Sequence, residues 1–289
     1  MRSSIISITN SNWAIDRQQL EWIAALESGK VLHFKNLPFE INENETSLFR
    51  ESIQNPKSRN ISLGSDGLLK GAIGDATTLI TLKELIFRFR NLSQVLVHSL
   101  VPKYAEYLKV SPTSFRPLNI SHRKQSWRAD DRRLHVDAFA TRPNYGERIL
   151  RVFMNINSNN QPRVWRVGES FESIAEQFIP KIKPYSKSQA KFLNVVGLTK
   201  SFRSEYDHMM LQIHDAMKSD LNYQKNSPQI QFEFMPGDVW VCFSDQTSHA
   251  AMSGQYMMEQ TYNLPLKALY DSQSSPLAVL TSKVQRKLV

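Results

Sequence analysis

Three side chains in this sequence have the types and spacing to hold a metal: His135, Asp137 one residue beyond it, and His249 far downstream. Successive side chains on a β-strand point to opposite faces, so a strand here would project His135 and Asp137 together and turn Val136 away. Two imidazoles and one carboxylate on one side of a metal form the facial triad of non-haem Fe(II) oxygenases, with positions left open for a co-substrate and O2. A His-x-Asp pair alone means little, because most such pairs are ordinary surface or strand residues. The context of the third residue adds weight. Met235-Pro236-Gly237-Asp238 is a turn signal feeding the apolar run Val239-Trp240-Val241-Cys242-Phe243, and His249 follows the polar stretch Ser244-Asp245-Gln246-Thr247-Ser248. A turn, a buried strand and then a histidine near the strand's end would bring a ligand to the mouth of a barrel.

The remaining histidines fit less well. His208 and His214 are six apart in a helical stretch, which sets them on different faces. His33 and His98 read as packing residues, and His122 lies in a basic segment that could line the site. Arg151 bears on the co-substrate. A hairpin after His135-x-Asp137 could return its guanidinium to the pocket, where it would hold the distal carboxylate of 2-oxoglutarate with two parallel hydrogen bonds. A solvent-facing strand arginine is the plainer alternative. The residues that follow His249, Glu259-Gln260-Thr261, offer no Arg or Lys as another anchor. Arg116, Arg163 and Trp165 are secondary candidates, the indole of Trp165 being able to pack on a bound acid or donate a hydrogen bond to it.

These side chains need a scaffold, and the chain is long enough for one. It has 289 residues, 41% hydrophobic and 22% charged, which is an ordinary globular composition and excludes global disorder. Cys242 is the only cysteine, so the chain can form no internal disulfide and no cysteine-based zinc site. The net charge of +9 points to an anionic partner, whether nucleic acid, membrane or charged sugar. No apolar run is long enough to span a bilayer, and Met1–Trp13 shows no secretory signal, so a cytoplasmic protein is the expectation.

The periodicity predicts helices over 17–28, 45–54, 170–182 and 200–221. One or two more lie along the stripe Leu82, Leu85, Ile86, Phe89, Leu92, Leu96 and Leu100. Val31–Phe34, Ile149–Ile156, Ile230–Phe234 and Val239–Phe243 read as strands. Gly64, Gly67, Gly71 and Gly74 mark a flexible loop, either a lid or plain surface. Strands with helices before and between them suggest a mainly β, α+β fold: a sandwich or jelly roll with helical additions.

Several strings resemble the bacterial Kdo 3-hydroxylases: His135-Val136-Asp137-Ala138-Phe139, Arg142-Pro143, Arg148–Asn157, Pro162-Arg163-Val164-Trp165, Ser248-His249-Ala250 and Glu259-Gln260-Thr261. Val31–Phe39 and Asn60–Leu63 extend the likeness over most of the chain. The resemblance implies a double-stranded β-helix (jelly roll) and an Fe(II)/2-oxoglutarate/O2-dependent dioxygenase. Its substrate would be 3-deoxy-D-manno-octulosonate (Kdo) in the lipopolysaccharide inner core, hydroxylated to D-glycero-D-talo-octulosonate. It implies His135, Asp137 and His249 as catalytic iron ligands, and Arg116, Arg151 and Trp165 as 2-oxoglutarate contacts. On this basis residues 116–275 would be the oxygenase core and 1–115 a helical and strand segment packed on it. Residues 276–289 would be a basic amphipathic tail, the whole forming one catalytic unit. The expected partners are a Kdo-containing lipid A precursor and an anionic membrane surface on the inner face of the cytoplasmic membrane, without nucleic acid. A protein or nucleic-acid hydroxylase on the same scaffold, and a non-enzymatic jelly-roll sugar-binding module, are the competing readings.

Overall fold

The apolar stripe from Leu82 to Leu100 belongs to one helix of 25 residues, Ala76–Leu100 (α2). The Asp75 carboxylate caps its start by accepting the Thr78 N–H at 2.8 Å, and Pro102 stops it. The computed structural model describes residues 4–122 and 125–289, without the side chain of His122. The basic segment His122-Arg123-Lys124 thus lies outside the described side chains. The other helices are α1 (Leu20–Glu27), α3 (Phe171–Phe178), α4 (Lys187–Val195), α5 (Glu205–Ser219), α6 (Leu221–Asn226) and α7 (Pro276–Val284).

Eleven strands are found among the described residues: β1 (Ile5–Ile8), β2 (Val31–Phe34), β3 (Ile61–Leu63), β4 (Leu69–Lys70), β5 (Lys109–Arg116), β6 (Arg148–Asn155), β7 (Arg163–Val167), β8 (Ile230–Phe234), β9 (Val239–Phe243), β10 (His249–Ser253) and β11 (Met257–Leu264). Eight form one sheet in the order β1-β2-β9-β6-β11-β5-β3-β4, and three form a second, β10-β7-β8. The architecture is mixed α/β with two sheets.

Period-two alternation decides what each face of the large sheet does. Leu150, Val152 and Met154 of β6, Val239, Val241 and Phe243 of β9, and Met258, Tyr262 and Leu264 of β11 point to the side covered by α2. Each fully buried side chain of this size stabilises the fold by about 1.5–3 kcal/mol. The intervening Phe153, Trp240, Cys242 and Met257 face the small sheet and meet Trp165, Val167, Phe234 and Ala251. Arg116, Arg151 and Glu259 share the parity of this second face, between the sheets. On the far side of β10, Leu134, Val136 and Ala250 pack with α3, α5 and α7 in a separate core.

The predicted strand ends and the helices before the sheets hold to within a few residues, but several expectations fail. Residues 45–54 form two 3-10 turns, Glu43–Leu48 and Glu51–Ile53, rather than an α-helix. The glycine-rich stretch is not a free loop: β3 and β4 pair across it as a hairpin on the edge of the large sheet, each too short to show a period. The N-terminal 115 residues supply β1 to β4 and all but the last residue of β5 to that sheet, so they build it rather than rest on it. His98 is exposed on α2 and does not pack, whereas His33 does, against Phe232 and Phe234, with Nε2 2.9 Å from Asp238. The basic amphipathic tail packs on the domain: Leu277, Val279, Leu280 and Leu288 are buried, and the Leu288 carbonyl accepts the Tyr206 N–H.

Candidate metal centre

His135 and Asp137 do not lie in a regular strand. His135 forms an isolated antiparallel bridge with His249, each N–H donating to the other's carbonyl at 3.1 and 2.9 Å. The Asp137 N–H then donates to the Ser244 carbonyl at 2.8 Å, which keeps the backbone extended. Alternation survives without a ladder: Val136 is fully buried among α3 and α5 residues, while the flanking side chains turn to the opposite side. His249 opens its own strand, β10, rather than ending β9. The tight turn before β9 depends on Gly237, whose φ of +86° favours glycine and whose Cβ would sit 2.5 Å from Asn36 Oδ1.

One ligating atom from each of His135, Asp137 and His249 lies within 4.8 Å of the others. The two rings are 4.6 Å apart between centroids. Nδ1 of His135 lies 2.8 Å from the Arg133 carbonyl, and Nδ1 of His249 lies 2.8 Å from the Thr247 carbonyl. Each Nδ1 therefore carries the proton, which leaves Nε2 with a free lone pair, the tautomer a metal needs. Burial is the main cause holding both imidazoles below their usual pKa, well below it for His135, so they stay neutral. Burial pushes the Asp137 carboxyl up, but the charge of the Arg151 guanidinium leads the causes that lower it, and the carboxyl is held well below the ordinary range and ionised. Two neutral imidazoles and one carboxylate can hold a divalent cation facially.

Beside them lies a chain of charges. Arg151 on β6 places NH2 2.9 Å from Asp137 Oδ2 and NH1 3.0 Å from Glu259 Oε1. Arg116, at the end of β5, reaches the other oxygen of Glu259 at 2.7 Å. Trp165 on β7 stacks on the His249 ring at 5.1 Å and 19°. Three buried donors converge here with no hydrogen-bond partner among the described residues: Arg116 Nε, Arg151 Nε and Trp165 Nε1. Unmade buried hydrogen bonds cost about 1–3 kcal/mol each, and an anion between these groups would satisfy them. The residues fit the implied ligands. Two guanidiniums balance Asp137 and Glu259, a divalent cation would leave a surplus of two charges, and a dicarboxylate would cancel it.

The six residues implied as iron ligands and 2-oxoglutarate contacts meet in one place; Arg163, two residues before Trp165 on the same face of β7, donates through NH1 to the Gly254 carbonyl at 2.8 Å. Arg132 pairs with Asp130, and Arg133 donates to the Lys218 carbonyl, so the basic run before the site is partly scaffolding. Sequence reasoning missed Glu259, treating its string only as lacking a cation. It also set aside His214, whose ring lies edge-on to His135 at 5.5 Å. One turn further along α5, Lys218 is buried. Burial lowers its pKa, opposed by Asp131 and Asp137. Their i, i+4 spacing was the available signal. His208 points elsewhere, to the Lys183 carbonyl. Cys242 is core, its thiol pushed up to about 12 by burial.

The family model for 3-deoxy-D-manno-oct-2-ulosonic acid (Kdo) hydroxylase matches residues 10–287. Among solved structures, the apo form of the Kdo hydroxylase KdoO, a non-heme Fe(II) alphaketoglutarate dependent dioxygenase, is 41% identical. It aligns with a TM-score of 0.95 over 99% of this chain and 97% of that chain. The complex of KdoO with alphaketoglutarate and Fe(III) aligns with a TM-score of 0.94 at the same identity and coverage. Its complex with succinate and Fe(III) also gives 0.94, covering 99% of this chain and 98% of that chain. No curated protein sequence matches significantly.

Proposed function

Because the chain belongs to the Kdo hydroxylase family, we propose that it uses Fe(II), 2-oxoglutarate and O2 to hydroxylate carbon 3 of Kdo in a Kdo-lipid A precursor, giving D-glycero-D-talo-octulosonate. The two sheets are then the walls of a double-stranded β-helix, with residues 116–275 carrying the site. The observation that carries the reading is the convergence of His135, Asp137 and His249 beside two guanidiniums and an indole N–H that lacks a partner. When bound, iron with 2-oxoglutarate and O2 supplies the oxidant, one oxygen atom going to the sugar and the other to succinate, with release of CO2.

The residues of this chain position that chemistry. His135, Asp137 and His249 would hold the iron, the two carbonyls on their Nδ1 atoms fixing the ring planes. Arg151 and Arg116, both paired with Glu259, would take the distal carboxylate of 2-oxoglutarate, and Trp165 Nε1 would donate to the same acid. The stacked Trp165 and the aromatic wall of Phe153, Trp240 and Phe234 keep water from that side. No helix among the described residues is long and apolar enough to cross a membrane. The deciding experiment supplies Kdo-lipid A to the purified protein with Fe(II) and 2-oxoglutarate. Succinate should form only when the sugar is present, and mass spectrometry should show one added oxygen on the inner core. Succinate formation stimulated by a protein or RNA and not by Kdo-lipid A would end this assignment.

A further inference from the structure

Helix α4 and the residues around it invert the usual rule for a soluble helix. Of α4 itself only Ala190 is buried. Four of the seven residues from Phe192 to Leu198 are large, apolar and exposed: Phe192 at 62%, Val195 at 75%, Val196 at 47% and Leu198 at 59%. Single exposed apolar side chains are unremarkable, but a contiguous group marks a contact surface. The charge around it is one-sided. Residues 177–204 carry Lys181, Lys183, Lys187, Lys191, Lys200 and Arg203, and no Asp or Glu. Lys181 pairs with Asp220. Lys183, Lys187, Lys191 and Lys200 are exposed and make no ion pair among the described residues.

This surface adjoins the segment that follows Asp137 of the metal centre. The Lys200 N–H donates to the Thr141 carbonyl at 2.9 Å, Arg203 donates to the Ala140 carbonyl at 2.5 Å, and the Tyr145 hydroxyl donates to the Phe202 carbonyl. These bonds tie the α4 region to the loop that leaves Asp137. That loop exposes two more aromatic rings, Phe139 at 42% and Tyr145 at 44%. A depression lined by Asp137, Phe139, Arg142, Asn144 and Tyr206 lies at the same place.

We propose that α4 and its flanks are a monotopic docking surface for an anionic lipid bilayer, with Phe192, Val195, Val196 and Leu198 entering the interface and the four lysines meeting lipid phosphates. Apolar insertion flanked by cations is the combination that holds a helix in the plane of a charged membrane. A second copy of the chain does not suit this face, because a two-fold contact would set the unpaired lysines against each other. Nucleic acid would use the lysines but leave the aliphatic residues without a role. The surface stands on these observations and not on the hydroxylase reading, which it extends by bringing a lipid-borne sugar to the pocket mouth.

The test is co-sedimentation of the full chain with vesicles of phosphatidylethanolamine and phosphatidylglycerol, against vesicles of phosphatidylcholine alone. It needs neither iron nor turnover, so its failure and the failure of the hydroxylase assignment are separate results. Binding should favour the anionic vesicles. Lys187→Gln with Lys191→Gln should weaken it about 25-fold, from roughly five-fold per lysine. Phe192→Ser with Val195→Ser should weaken it at least ten-fold, with an unchanged thermal midpoint. As a check independent of those variants, Val195→Cys carrying an environment-sensitive fluorophore should shift to the blue on anionic vesicles; the other thiol, Cys242, is buried. Equal binding to both vesicle types, wild-type binding by both double variants, an unmoved fluorophore, or a dimer in solution that Phe192→Ser with Val195→Ser disperses would each overturn the proposal.

Discussion

Glu259→Gln should destabilise the protein and at the same time make 2-oxoglutarate a stronger stabiliser. Glu259 is 5% exposed and accepts from Arg116 at 2.7 Å and from Arg151 at 3.0 Å. Burial pushes its carboxyl up, but the two guanidiniums outweigh that and hold its pKa below the ordinary value. An amide of the same shape accepts from one guanidinium and turns an NH2 group toward the other. Removing one partner of a buried ion pair costs about 3–5 kcal/mol, because the remaining charge is left uncompensated. At roughly 2 °C per kcal/mol for a chain of this size, the thermal midpoint should fall by about 6–10 °C. The carboxylate of 2-oxoglutarate competes with Glu259 for the same guanidiniums, so the variant should bind it more tightly. Ten-fold tighter binding is worth about 1.4 kcal/mol, or about 3 °C of extra stabilisation at saturating ligand. Calorimetry of both proteins with Mn(II) in place of iron, with and without 2-oxoglutarate, measures the two shifts. A variant that melts with the wild type, or that gains less from 2-oxoglutarate than the wild type, would refute the view that Glu259 holds both arginines for a second anion.

Trp165→Phe keeps a ring on His249 but removes the unpartnered N–H; a hydrogen bond to a charged acid is worth about 1.5–3 kcal/mol, so KM for 2-oxoglutarate should rise at least ten-fold in steady-state assays. His135→Ala should abolish iron-dependent succinate formation, and activity that persists would remove His135 from the ligand set. The metal-free protein should lose stability as pH falls below about 6.5. Unfolded imidazoles take up protons there, whereas buried His135 and His249, with folded pKa values lowered, do not. Denaturation in a chelator at pH 7.5 and 5.5 checks the sign, and equal midpoints would contradict it. Leu280→Ala should cost about 2–5 kcal/mol in chemical denaturation yet leave vesicle binding unchanged, since α7 is packed rather than free.

The first two residues of the candidate ligand set were legible in the sequence because their placement depends on local rules. Alternation over three residues put His135 and Asp137 on one side of Val136, and it did so even where no regular strand formed. The same period in β6, β9 and β11 separated the residues beneath α2 from those facing the small sheet. Turn chemistry at Pro236-Gly237 marked the start of β9. Each of these signals spans only a few residues, and steric and hydrogen-bonding preferences act over that range. The resemblance to Kdo 3-hydroxylases then named Arg116, Arg151 and Trp165 together.

What the tertiary structure alone decided is which distant groups meet. Arg151 and Glu259 are 108 residues apart and face each other only because β6 and β11 are neighbours in the sheet. His214 and Lys218 come near the metal centre because α5 packs in one core with Val136 and Ala250; their i, i+4 spacing put them on one face of the helix without saying what that face would meet. The two basic, apolar segments took different places for the same reason. Residues 276–289 found a core to cover and became part of it, whereas α4 has a similar mixture of side chains and was left facing outward. Composition sets what a segment can bury or expose; the space left by the other elements determines which it does.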